Sequence, residues 1–276
     1  MTSTYTEPVS KLLELGRPHG GAWLDYSALD LERDHIPELI RLVEDRELRF
    51  MEPPADLPDN EDLPEWYAQI HAWRALGQLK AEKAIPAILG ILHQIDDENN
   101  DWLDSDADDV FALIGPAAIG PVAEYLQDDT HGLYARVEAG KSLHAIGKAH
   151  PETRGKCVKI LASVLENYEE NDEGLNGFII SDLVRLRAIE HIELIEKAFK
   201  SGTVNEMIMG DFEDVQVELG LLEKRITKPA RFPFFEMLSG QDDIFEPEKK
   251  NKSDKKNEKN KRKQEKKSRK KNRKRK

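Results

Sequence analysis

The sequence predicts an all-α protein, an α-solenoid of about five stacked helix pairs followed by a disordered basic tail. Three observations carry this. The phrase "HIPELIRLV" at 35–43 returns as "AIPAILGIL" at 84–92 and, more loosely, as "IGPVAEYL" at 119–126. Apolar residues after each proline keep a helical period. The chain is 34% charged and 39% hydrophobic, a balance suited to helices with heavily charged outer faces.

Proline is tolerated in the first turn of a helix because that N–H has no partner there. Pro37, Pro86 and Pro121 therefore mark helix starts. Ile36, Leu39, Ile40 and Val43 follow at i, i+3, i+4, i+7; Ile119, Val122, Ala123 and Leu126 repeat that spacing. Ile85, Ile88, Leu89, Leu92 and Ile95 form a third stripe, Cys157 to Tyr168 a fourth, and Ile192, Ile195 and Phe199 a fifth.

Ahead of these stand the pieces "AWRALGQL" (72–79), "VFALIGPA" (110–117) and "KSLHAIGK" (141–148). Each ends near a glycine, Gly77, Gly115 or Gly147, which suits the left-handed residue past a helix end. A fourth copy, "DLVRLRAIEHIELIEKAF" (182–199), has Arg187 in that place, and a more continuous junction is expected there. Units of roughly 35 to 45 residues built from two antiparallel helices are the signature of a solenoid, since one pair cannot bury its own stripe and stacked pairs can.

The pattern in "RALGQLKAEKAIPAILGIL" resembles the HEAT-like repeats named after phycobilisome lyases. Together with "EPVSKLLELG", "HIPELIRLV", "HAWRALGQL" and "MGDFEDVQVELGLL", it is similar to uncharacterised bacterial repeat proteins, some with a lysine-rich tail. The resemblance spans roughly residues 7–227 and speaks to fold. It brings no catalytic motif, and the lyase name leaves open a lyase- or chromophore-handling role.

The expected organisation is a flexible 1–6, a solenoid over 7–227, an extended segment with prolines and phenylalanines over 228–248, and a disordered tail over 249–276. "EPVSKLLEL" gives a first short helix closed by Gly16 and Pro18. Residues 210–226 give a last one, with Phe212, Val215, Leu219 and Leu222 on one side and Asp211, Glu213, Asp214 and Glu218 on the other. Phe232, Phe234 and Phe235 are apolar enough to fold back on the last helices.

Chemistry-bearing motifs are few. The acidic stretch 96–109 alternates Asp104, Asp106 and Asp108. A calcium loop counted from Asp104 would need glycine at 109 and glutamate at 115, where Asp109 and Gly115 stand. A solvated loop anchored by Trp102 and Leu103 is expected instead. Eight scattered histidines show no metal spacing; His144 reads as a hydrogen-bonded interior residue and His150 as a helix-start residue. Cys157, the one cysteine, lies on an apolar face and reads as an inert buried thiol, and a reducing cytoplasm is the expected location. Neither a nucleophile elbow nor a phosphate-binding glycine loop occurs. No catalytic residue, metal or cofactor is expected.

Charge is unevenly divided. Residues 249–276 carry 18 Lys/Arg against 3 Asp/Glu, a net of +15, while the first 248 residues carry 23 against 50, a net of −27. The tail has no apolar residue and so no core to build. Its dense cluster, Lys261, Arg262, Lys263, Lys266, Lys267, Arg269, Lys270, Lys271, Arg273, Lys274, Arg275 and Lys276, is the expected polyanion contact, to RNA or a ribosomal surface. The alternative is that the tail lies on its own acidic body as an autoinhibitory element. A solenoid groove lined by second helices would offer Glu38, Arg41, Glu44, Asp45, Glu124 and Asp128 to a basic protein partner. The function expected is a non-enzymatic scaffold or adaptor.

Overall fold

A computed structural model describes residues 4–18, 23–54, 57–58 and 62–228. The basic cluster of the tail and the phenylalanines at 232, 234 and 235 lie outside the described residues. Within them, the α-helices are α1 (Ile36–Val43), α2 (Arg46–Arg49), α3 (Ala68–Gln78), α4 (Ile85–Ile91), α5 (Gln94–Glu98), α6 (Asp101–Ile114), α7 (Ile119–Gln127), α8 (Leu133–Ala149), α9 (Arg154–Leu165), α10 (Glu173–Arg185), α11 (Ile192–Ser201), α12 (Glu206–Met209) and α13 (Phe212–Glu218). Among the described residues there is no strand.

The helices stack in two layers. In the first layer α3, α6, α8, α10 and α12 pack one on the next; in the second, α1, α4, α7, α9 and α11 do the same. The layers interlock because α1 packs on α3, α7 on α8 and α9 on α10. The core runs between them as one cluster, including Leu39, Leu76, Ile88, Phe111, Leu126, Leu143, Leu161, Leu183 and Ile195, all buried. Each such side chain contributes on the order of 1.5–3 kcal/mol of apolar burial, which no single pair could secure.

The recurring proline is explained at atomic level. Pro37 and Pro86 occupy the second residue of α1 and α4, and Pro121 the third of α7. Every helix of the second layer is entered through a single 3₁₀ turn, at Arg33–His35, Glu82–Ala84, Pro116–Ala118, Pro151–Thr153 and Ile189–His191. His150 precedes the fourth of these turns, and its carbonyl accepts from Thr153 N and Oγ1 at 2.8 Å.

Three expectations need correction here. Gly77 and Gly147 are not left-handed caps but lie inside α3 and α8. Their lack of a side chain lets neighbours close in: a Cβ on Gly77 would stand 3.3 Å from Val110 Cα, and one on Gly147 3.3 Å from Cys157 Cβ. Only Gly115 of the three has a positive φ, +95°. The left-handed role falls to Lys80 (φ +52°) and Arg187 (φ +57°). Ala81 N and Ala188 N bond back to Leu76 O and Leu183 O at 3.0 and 2.9 Å, the Schellman pattern. The junction at Arg187 is therefore a sharp stop like the others.

The acidic stretch 96–109 is mostly helix rather than loop. Asn100 caps α6 by accepting from Leu103 N, and Asp101 and Asp104 fall in its first turn, where the helix dipole favours carboxylates. Leu103 is fully buried and Trp102 packs against the core, as anchoring required. The last helix is shorter than expected. α13 stops at Glu218 because Gly220 (φ +76°) turns the chain and Leu221 N bonds Gln216 O at 2.8 Å. Arg225 then returns to Asp211 (2.7 and 2.8 Å) and pairs with Asp214 and Glu213.

Candidate functional site: an acidic edge and a buried polar row

Antiparallel pairing puts every turn from a second-layer helix into the next first-layer helix on one edge of the stack. Hydrogen bonds across that edge fix it. Gln69 Nε2, at the start of α3, donates to Val43 O and Asp45 O at 3.0 and 2.9 Å. Arg136 Nε, at the start of α8, donates to Leu126 O at 2.9 Å. Asn176 Nδ2, in α10, donates to Tyr168 O and Thr203 O at 2.9 and 2.8 Å. Asp96 reaches across to accept from Tyr134 N and Ala135 N at 2.9 and 2.8 Å, so a carboxylate of one turn caps the helix of another.

This edge is acidic. Three consecutive turns, 94–101, 127–132 and 166–173, hold eleven Asp/Glu and no Lys or Arg, while the turn after α1 adds Arg46 and Arg49 to the same edge. The turns of the opposite edge, 79–84, 115–118, 148–153 and 186–191, hold four Lys/Arg against three Glu. Some of the eleven serve the fold: Asp96 as above, Glu98 by pairing with Arg49, Asp128 by accepting from Thr130, Asp172 by capping α10. Asp97, Asp101, Asp129, Glu166, Glu169 and Glu170 are exposed. Between the turns lie clefts. One of 530 Å³ is bordered by Asp129, Arg136, Asn167, Glu170 and Asp172. Another of 460 Å³ is bordered by Glu44, Arg46, Phe50, His93 and Asp97.

The expected groove residues scatter over different surroundings. Desolvation pushes the Glu38 carboxyl up, but the hydrogen bonds it accepts from Thr6 N and Oγ1 at 2.8 and 2.7 Å, together with Arg41, outweigh it and hold the carboxyl below the usual range. Arg41 donates to Thr4 O at 2.8 Å and lies over the Tyr5 ring at 4.1 Å. Asp45 caps α2 and accepts from Tyr5 Oη at 2.6 Å. These three fasten the N-terminal segment to α1. Glu124 is exposed on α7. Glu44 and Asp128 belong to the acidic edge.

A second set of charged groups is buried along the first layer. Asp106 of α6 receives Arg74 Nε and Nη2 at 2.6 and 2.9 Å and Trp73 Nε1 at 2.9 Å. Glu138 of α8 is fully buried, accepts Asp108 N at 2.9 Å and pairs with Lys141. Burial pushes Glu138 well up, against the pull of Lys141. Asp182 of α10 is buried with Oδ2 unpartnered, and burial raises it to about 7. His144 is half-buried, and burial lowers it to about 4. Its Nδ1 lies 4.0 Å from Asp182 Oδ1, beyond hydrogen-bond reach, so the interior position expected for it holds while the hydrogen bond does not. Cys157 is buried and its thiol is pushed up, the state of an unreactive cysteine.

Sequence reasoning missed this row. The signal was present: Leu103, Asp106, Ala107, Val110 and Ile114 share one helical stripe, and a charge inside an apolar stripe is a candidate for burial.

A family model matches residues 27–238. The chain belongs to DUF1186, described as Protein of unknown function. No curated protein and no solved structure matches it. Within this member of DUF1186, no group of His, Cys, Asp and Glu among the described residues has the arrangement to hold a metal ion. No single described helix is long and apolar enough to cross a membrane.

Proposed function

We propose that this DUF1186 chain is a non-enzymatic, HEAT-like scaffold of the cytoplasm that docks a basic segment of a protein partner along its acidic edge. One observation carries the reading: three consecutive turns hold eleven carboxylates and no Lys or Arg, with Asp97, Asp101, Asp129, Glu166, Glu169 and Glu170 exposed beside clefts open to solvent. Carboxylates spaced within a Debye length of about 8 Å reinforce one another at physiological salt and attract a multiply charged cation far better than an isolated acid does. The buried carboxylates of α6 and α8 are occupied by Arg74 and Lys141, which leaves them to structure rather than to acid/base chemistry. The Lys/Arg cluster between Lys261 and Lys276 supplies a second contact, to RNA or a ribosomal surface.

The test is calorimetric titration of the full chain with an arginine-rich peptide. Neutralising the edge (Asp97→Asn, Asp129→Asn, Glu169→Gln, Glu170→Gln) should weaken binding by at least about tenfold, with a shallower salt dependence. A control on the opposite edge (Glu82→Gln, Glu152→Gln, Glu190→Gln) should change it little. Equal losses in both variants would mean that net charge, not the edge, drives association.

A further inference from the structure

A cavity of 290 Å³ lies where the N-terminal segment crosses α3, bordered by Leu15, Arg17, Pro18, Leu24, Tyr26, His71 and Arg74. We propose that it binds a small organic monoanion, a carboxylate carried on a compact apolar body. This site is separate from the acidic edge and does not depend on it.

Charge comes first. Among the described residues, both charged members of the lining are arginines and no carboxylate borders the cavity. Asp106 pairs with Arg74 through two hydrogen bonds, and Arg74 borders the cavity whereas Asp106 is not among its described lining residues. Arg17 at the exposed rim adds a second cation. Counting Asp106, the site has one positive charge in excess, which matches a monoanion.

Rigidity comes second. The Arg74 guanidinium lies 5.1 Å from the Trp23 ring and 5.6 Å from the Trp102 ring, both cation–π contacts. With Asp106 also in place, Arg74 pays little further ordering entropy when a ligand arrives. The polar floor is fixed too. His71 Nε2 stands 2.9 Å from Gly16 O, and a carbonyl only accepts, so Nε2 carries the proton. Nδ1 is then the acceptor for Tyr26 Oη at 2.7 Å. Burial pushes the Tyr26 phenol up to about 12 and the His71 imidazole down, so both stay neutral near pH 7 and bring no negative charge to the floor.

Shape comes third. Leu15, Pro18 and Leu24 supply an apolar wall. At the ~30 Å³ that a water occupies in the liquid, the cavity holds roughly ten non-hydrogen atoms, the size of phenylacetate. An inorganic ion would leave the apolar wall unused.

The experiment titrates the full chain with phenylacetate, its neutral isostere phenylacetamide and inorganic phosphate, read by calorimetry and tryptophan fluorescence. Phenylacetate should bind saturably with Kd on the order of 1 mM or below, phenylacetamide about tenfold or more weaker, and phosphate should fail to displace phenylacetate. Arg17→Gln should weaken phenylacetate several-fold, and Leu24→Glu, which places a carboxylate on a rim residue already 44% exposed, should abolish binding. Unchanged circular dichroism and thermal melts would show that both variants remain folded. The proposal is overturned if phenylacetate shows no saturable binding, if phenylacetamide binds equally well, if phosphate competes as effectively, or if Leu24→Glu leaves binding intact.

Discussion

Asp106→Asn is the perturbation that probes the buried row most directly. The side chains of Asp106 and Arg74 are 4% and 6% exposed, so the pair is largely shielded from bulk solvent. The carboxylate accepts three hydrogen bonds, from Arg74 Nε, Arg74 Nη2 and Trp73 Nε1. An amide of the same shape keeps one acceptor oxygen and turns an NH₂ toward donors, leaving a guanidinium with no counter-ion in the interior. Breaking one side of a buried pair costs about 3–5 kcal/mol. For a folded unit of this size each kcal/mol moves Tm by about 2–4 °C, so the expected fall is roughly 6–20 °C. The assay is thermal and urea unfolding followed by circular dichroism at 222 nm. The double variant Arg74→Met with Asp106→Leu should recover most of the loss, since removing both charges also removes both desolvation costs. A loss below about 1 kcal/mol for Asp106→Asn would refute the reasoning and mean that Arg74 finds water or another acceptor.

Other outcomes follow from the same interior. Asp182 has a folded pKa of about 7 against an ordinary 3.8, because burial outweighs Arg185 and Lys141. The folded state then holds the proton more firmly, so stability from this group is present below pH 4 and lost as pH rises toward 7; Asp182→Asn should stabilise at pH 8 and do little at pH 4, checked by urea melts at both. A variant equally stabilised at both values would contradict that sign. Gly77→Val should cost about 1–3 kcal/mol, since even its Cβ would stand 3.3 Å from Val110 Cα, and a near-neutral melt would show that α3 and α6 can part. Gly115→Ala should cost about 1–2 kcal/mol because φ is +95° and the new Cβ would meet His150 Nε2 at 3.2 Å, measurable by the same unfolding curves.

Periodicity was enough to place the second-layer helices. Pro37, Pro86 and Pro121 with their i, i+3, i+4, i+7 stripes located α1, α4 and α7 to within a few residues, because helix starts and amphipathic faces are local properties of the chain. Stacking followed, since helices that short hold no stable structure unless their stripes are covered.

Tertiary contacts decided the rest. Gly77 and Gly115 look alike in sequence, yet one admits a neighbouring helix and the other reverses the backbone, a difference set by what packs beside them. The acidic run at 96–109 divides into exposed acids such as Asp97 and Asp101 and the buried Asp106, and only the arrival of Arg74 from 32 residues away makes that burial tolerable. In the same way, the gathering of three acidic turns on one edge follows from antiparallel pairing, which brings together side chains that are remote along the chain. Local propensity is written residue by residue, whereas charge burial and surface potential are sums over space, and those sums exist only once the layers have stacked.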